Sequence, residues 1–161
     1  AMYKPKAIYL REKHLNDSDY LQLARQIKPV CETVGVDFYV CHNLKIAKLL
    51  GVKNVHINVE NLPKIGANEH FDNLSVAVHS IKDVIIAQSY GATRLVYGHI
   101  FETSCKKDLQ PRGLSNLKAI CNISNLPVIA IGGINHNNFK SVLDSGASDF
   151  AIMSSAMTLT F

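Results

Sequence analysis

Residues 98–108, Gly-His-Ile-Phe-Glu-Thr-Ser-Cys-Lys-Lys-Asp, carry the densest set of reactive groups in this chain. His99 directly follows a short apolar run. The hydroxyls of Thr103 and Ser104, the thiol of Cys105 and the ammonium groups of Lys106 and Lys107 follow closely. An imidazole takes and gives a proton near neutral pH, the central requirement of an isomerisation. A loop histidine bonded to a backbone carbonyl satisfies the same spacing, so both readings stay open. A second set is Gly132-Gly133 after the run 128–131, with Ser154-Ser155 after the run 150–153. Glycine lets backbone N–H groups approach an oxyanion, and a serine hydroxyl adds one bond. Loops after the last two strands of a barrel often build a phosphate site in this way; a pair of tight turns is the alternative. Arg11, Glu12 and Lys13 form a third set. Two cations one strand period apart point into the same mouth while Glu12 faces elsewhere, or the three form a solvated charge cluster.

The remaining candidates are weaker. His56 and His79 fall at strand ends and can line a pocket, whereas His14, His70 and His136 read as exposed loop residues. Cys31, Cys41, Cys105 and Cys121 show no CxxC or Cys/His ligand spacing, so neither zinc nor a disulfide is expected. Cys31 and Cys121 fall in helical stretches and pack as small hydrophobes; Cys41 and Cys105 fall at strand ends, where they can line the site. No two carboxylates converge on adjacent strand ends, so no metal is expected.

The elements that must position these groups are seven short apolar runs, at residues 7–10, 38–40, 55–57, 76–78, 95–97, 128–131 and 150–153, each followed by polar or glycine residues. Helical patterns lie between most of them, over 18–33, 44–50, 81–90, 114–123 and 138–144; residues 62–73 read as a loop or single turn. Alternating buried strand and helix is the signature of a parallel α/β sheet, and polar residues past every strand make one functional face. A TIM (β/α) barrel is the expected fold, with one domain over residues 1–161. An open doubly wound sheet is the alternative, disfavoured because no GxGxxG follows the first strand.

A net charge of +4 with scattered Lys and Arg gives no basic stripe, so no nucleic-acid partner is expected. No apolar stretch reaches membrane-spanning length and no leader is seen, which predicts a cytoplasmic protein with no membrane partner.

Taken together, Leu10-Arg11-Glu12-Lys13, Val55-His56-Ile57, Val78-His79-Ser80, Gly98–Thr103, Lys106, Ile131-Gly132-Gly133-Ile134 and Gly146-Ala147 resemble the thiamine-phosphate synthase and thiazole tautomerase superfamily of TIM barrels. The resemblance implies that Arg11 and Lys13 match the synthase's diphosphate-binding Arg and Lys. It also exposes departures. Where the synthase carries an Asn-Asp pair whose Asp binds magnesium, this chain has Cys41-His42. Asn61 replaces the second magnesium-binding Asp, Ala77 a diphosphate-binding Ser, and Cys105 a Thr. The run Gly98–Lys107 instead resembles the tautomerase branch, in which the histidine shifts a proton on a thiazole carboxylate phosphate.

The expectation from sequence is therefore a tautomerase-like isomerase of thiamine biosynthesis without cofactor or metal, with a synthase of altered metal site, or a non-catalytic phosphate-binding homologue, as alternatives. His99 would be catalytic. Gly133, Ser154 and Ser155 would hold phosphate, while Arg11, Lys13, Thr103 and Lys106 would contact a small phosphorylated thiazole. Relative to the family, the first βα unit and closing helix are missing. Two open sheet edges then predict a homo-oligomer in which a neighbour fills the gap.

Overall fold

The computed structural model describes residues 4–66, 69–106 and 108–157. The contact network divides the chain into two compact units, residues 1–75 and 76–161. In the first, β1 (Ala7–Leu10), α1 (Asp17–Val34), β2 (Asp37–Cys41), α2 (Leu44–Leu49) and β3 (Asn54–Asn58) precede a 3-10 turn, Val59–Lys64. The strand β4 (Asn73–Val78) crosses the boundary. The second unit continues with α3 (Ile81–Ser89), β5 (Arg94–Gly98), a 3-10 turn at Ser104–Lys106 and α4 (Gly113–Ile123). It ends with β6 (Val128–Ile131), α5 (Phe139–Asp144), β7 (Asp149–Ala151) and the single turn α6 (Ser154–Met157). Within the first unit β1–β2 and β2–β3 pair in parallel, and within the second β5–β6 and β6–β7 do.

The predicted runs all become strands, 7–10 and 128–131 with unchanged ends and the other five with shifted ones. β7 stops at Ala151 because its ladder partner β6 ends opposite it, at Ile131. The expected turn within 62–73 begins earlier, at Val59, and buries Leu62. In α1 the cap is Asn16, whose side chain accepts from Asp19 N–H at 3.0 Å. At the other end of α1, Gly35 (φ 63°) takes the left-handed conformation that closes a helix at little steric cost.

In the first unit Tyr20, Ala24 and Cys31 of α1 lie buried with Phe38 and Val40 of β2. The Tyr20 hydroxyl donates to Leu10 O at 2.6 Å and accepts from Cys41 N–H at 3.2 Å. One buried hydroxyl thus satisfies groups at the ends of both β1 and β2, fixing where the residues beyond them emerge. In the second unit Leu95, Val128, Ala130, Leu117 and Val142 form the core. Ser80 caps α3 by accepting from Asp83 N–H, while the Asp83 carboxylate accepts from His79 N–H at 2.7 Å. That reciprocal pair pins the exit of β4. No helix among the described residues is long and apolar enough to cross a membrane.

Candidate functional site

Strand register builds the strand-end cluster of the first unit. Leu10 pairs with Val40, and Cys41 with His56, so Arg11 just past β1, Cys41 at the end of β2 and His56 within β3 come to one level. Alternation places Tyr9 with Arg11 on one face of β1, and Tyr39 with Cys41 on the matching face of β2. The rings agree: Tyr9 and Tyr39 stack with centroids 4.3 Å apart, and Tyr9 meets His56 edge-on at 5.4 Å. His56 Nδ1 lies 3.0 Å from the buried Ser75 Oγ, to which the Tyr9 hydroxyl also donates at 3.4 Å. Burial first, then the nearby His42 and Arg11, pushes the His56 pKa down to about 3, so this imidazole is neutral.

His42 leaves β2 in the left-handed conformation, φ 59°, uncommon for a residue with a side chain. Its N–H donates to His56 O at 2.8 Å, and the two rings meet edge-on at 5.6 Å. Desolvation lowers its pKa, the charges of Arg11 and Lys13 add to that, and Glu60 opposes them. Arg11 and Lys13 are exposed, and neither forms an ion pair among the described residues. The Cys41 thiol is buried, and burial pushes its pKa up to about 12, with Arg11 opposing; it is a neutral group beneath the cations.

The resemblance to a synthase implies magnesium here, held by aspartates where His42 and Asn61 stand. At the two aspartate positions stand an imidazole and an amide; around them are a neutral thiol, the carboxylate Glu60 and the run Arg11-Glu12-Lys13, in which two cations flank one carboxylate. Magnesium requires several hard oxygen ligands with carboxylates among them. Among the described residues no group of three or more His, Cys, Asp or Glu is arranged to hold a metal. These residues do not fit magnesium.

In the second unit the strand-end groups are engaged internally. His99 is 5% exposed, and its Nε2 donates to Leu109 O at 3.1 Å. This is the arrangement of a histidine bonded to a backbone carbonyl. Gly132 (φ 102°) faces it so closely that an added Cβ would lie 2.3 Å from His99 Cβ. At Gly133 (φ 67°) an added Cβ would lie 2.4 Å from Glu102 O, and the Gly133 carbonyl accepts from Asn138 Nδ2 at 2.9 Å. Both glycines are therefore required by the approach of residues 99–102. Ser155 Oγ donates to Ile134 O at 3.1 Å, which brings the β7 exit to the segment after Gly133, while Ser154 is exposed. Thr103 and Lys106, with Glu102, Leu109 and Pro111, line an open depression of about 520 Å³. Lys107 lies outside the described residues.

Arg112 was not singled out by sequence. Its Nε donates to Gly98 O at 3.0 Å, its Nη1 to His79 O at 2.9 Å, and its guanidinium sits 5.6 Å from the Tyr97 ring centroid. It ties the exits of β4 and β5 together. No periodicity marks such a residue, since its acceptors are carbonyls distant in sequence. The Tyr9–Tyr39 stack was also missed, although both lie two positions before an already suspect residue.

Comparison with known proteins gives consistent results. The family described as thiamine monophosphate synthase matches residues 2–156. A thiamine-phosphate synthase of Coprothermobacter proteolyticus is 36% identical over 155 residues, covering 94% of this chain and 74% of the relative. One from Clostridium acetobutylicum is 32% identical over 154 residues, covering 94% and 73%. The structure of a thiamine phosphate pyrophosphorylase from Pyrococcus furiosus superposes with a TM-score of 0.82 at 25% identity, covering 96% of this chain and 75% of that one. The α/β, TIM-barrel-type fold read from sequence holds. The tautomerase and isomerase expectation does not: relatives at 30–36% identity over most of the chain carry the synthase name. With it falls the proton-shuttling role given to His99.

Proposed function

Since this chain belongs to the thiamine monophosphate synthase family, we propose that it transfers a pyrimidine from its diphosphate to a thiazole phosphate, pyrophosphate departing. The observation that supports this reading is the pair of exposed cations, Arg11 and Lys13, set beside His42 and His56 at the ends of β1–β3. A departing diphosphate gathers negative charge as its bond to carbon breaks, and fixed cations aimed at it stabilise that charge. The Tyr9–Tyr39 stack forms the floor beneath these cations, and neutral His56 keeps its ring fixed through Ser75. In the second unit, Gly133, Ser154 and Ser155 are assigned the thiazole phosphate, with Thr103 and Lys106 lining the neighbouring depression. His99 and Arg112 are positioning residues that hold the strand exits.

The test is product formation from pyrimidine diphosphate and thiazole phosphate, followed by chromatography and by pyrophosphate release. Wild type should form thiamine phosphate. Arg11→Ala should lower turnover by about 10²-fold while unfolding within about 0.5 kcal/mol of wild type, as expected for an exposed residue. Absence of product from folded wild type overturns the reading.

A further inference from the structure

The same cluster that refuses magnesium has what a pyrophosphate group needs without it. Three facts converge at the end of β2. Arg11 and Lys13 are exposed and unpaired among the described residues, so their charge is available to a ligand. His42 is held by its own N–H to His56 O at 2.8 Å and by the left-handed backbone that turns it beside those cations. Beneath them the Cys41 thiol and the His56 ring are buried and uncharged, so the charges acting on His42 are the cations Arg11 and Lys13, opposed by Glu60. We infer that Arg11, Lys13 and His42 form a magnesium-independent site for pyrophosphate or a diphosphate ester, with His42 as a direct ligand of the anion.

The physical logic is substitution of one charge carrier by others. Where a divalent cation bridges a diphosphate to carboxylates, the protein supplies negative ligands and the metal supplies the positive charge. Here the aspartate position is a histidine, and the positive charge is covalently part of the chain. An imidazole N–H donates to a phosphate oxygen; approach of that anion also favours its protonated form, so His42 supplies charge once the ligand is bound. A guanidinium binds phosphate oxygens in a two-pronged geometry and an ammonium as a point charge. The carboxylates that oppose a metal-free diphosphate are Glu60, on the adjoining turn, and Glu12, exposed between Arg11 and Lys13.

This inference rests on the transfer reading for its biological ligand, but its test does not. Inorganic pyrophosphate is titrated calorimetrically into the wild-type chain in EDTA and again with excess magnesium, correcting for the magnesium–pyrophosphate complex. Manganese(II) binding is measured separately by electron paramagnetic resonance. Equal affinity in both titrations within about threefold, with no protein-bound manganese, is the expected result. His42→Asp, tolerable at a left-handed position, should weaken metal-free binding by about tenfold or more and make it magnesium-dependent. Pyrophosphate that binds only with magnesium, manganese bound at micromolar affinity, His42→Asp without effect, or no binding at millimolar pyrophosphate each overturns the site. Turnover separates the two readings. Metal-free binding in a chain that forms no product upholds this site and removes the transferase, whereas product formed by a chain that binds pyrophosphate only with magnesium does the opposite.

Discussion

In residues 1–75 the charged groups past the strands stay at the surface: Arg11, Lys13 and His42 are exposed, and only neutral rings and a thiol lie beneath them. In residues 76–161 groups of similar type are engaged with backbone. His99 donates to Leu109 O, Ser155 to Ile134 O, and Arg112 to Gly98 O and His79 O. The two glycines of that unit are shaped by a loop pressed on them. A histidine after a strand is thus a surface group at His42 and an internal brace at His99. The contrast teaches that residue type nominates a site, while hydrogen-bond capacity left over after folding decides it.

The comparison breaks most sharply at Gly132. If that unit is held by close backbone approach, Gly132→Ala must strain a φ of 102° and push a Cβ into His99. Overpacking plus the left-handed penalty should cost about 3 kcal/mol or more in chemical denaturation. Wild-type stability for Gly132→Ala would show that the loop has room to spare. His99→Ala is the next largest: losing a buried ring and orphaning the Leu109 carbonyl should cost about 2 kcal/mol. A His99→Ala protein of unchanged stability would return the histidine to the list of functional groups.

The smallest effect is a pH slope from the first unit. The His56 pKa is pushed down to about 3 in the fold, chiefly by burial, against an ordinary value near 6.5 in the unfolded chain. Above that ordinary value both states are neutral and His56 is without effect. As pH falls from roughly 6.5 toward 3, the unfolded state takes up a proton that the folded state refuses, so stability declines by up to about 1 kcal/mol per pH unit. Denaturation midpoints measured stepwise between neutral pH and about pH 5 should show this slope, and His56→Gln should flatten it. An identical slope in the variant would mean that His56 titrates normally, and that the ring cluster is looser than its contacts indicate.

Much of this fold was legible in the chain because its signals are local. Burial on both faces of a parallel strand leaves a continuous apolar run, and all seven runs proved to be strands. Ser80, Gly51 and Gly91 punctuate helices through their own backbone preferences, so they could be read one residue at a time. The site was only half legible. Arg11 and Lys13 were visible because alternation alone aims them together. The tautomerase resemblance is confined to the local motif Gly98–Lys107, whereas the similarity that carries the family is spread along the whole chain.

By itself, then, the sequence determined which segments extend, which coil, and which reactive residues stand just past strand ends, since each depends on neighbours a few positions away. Only tertiary structure decided which of those residues keep a free hydrogen-bonding group. Leu109 O reaches His99 across ten residues, Ser75 Oγ reaches His56 across nineteen, and Arg112 finds His79 O across thirty-three. Such partners are chosen by strand register and loop approach, which no local pattern encodes, because the free energy that selects them comes from burying the surrounding chain as a whole.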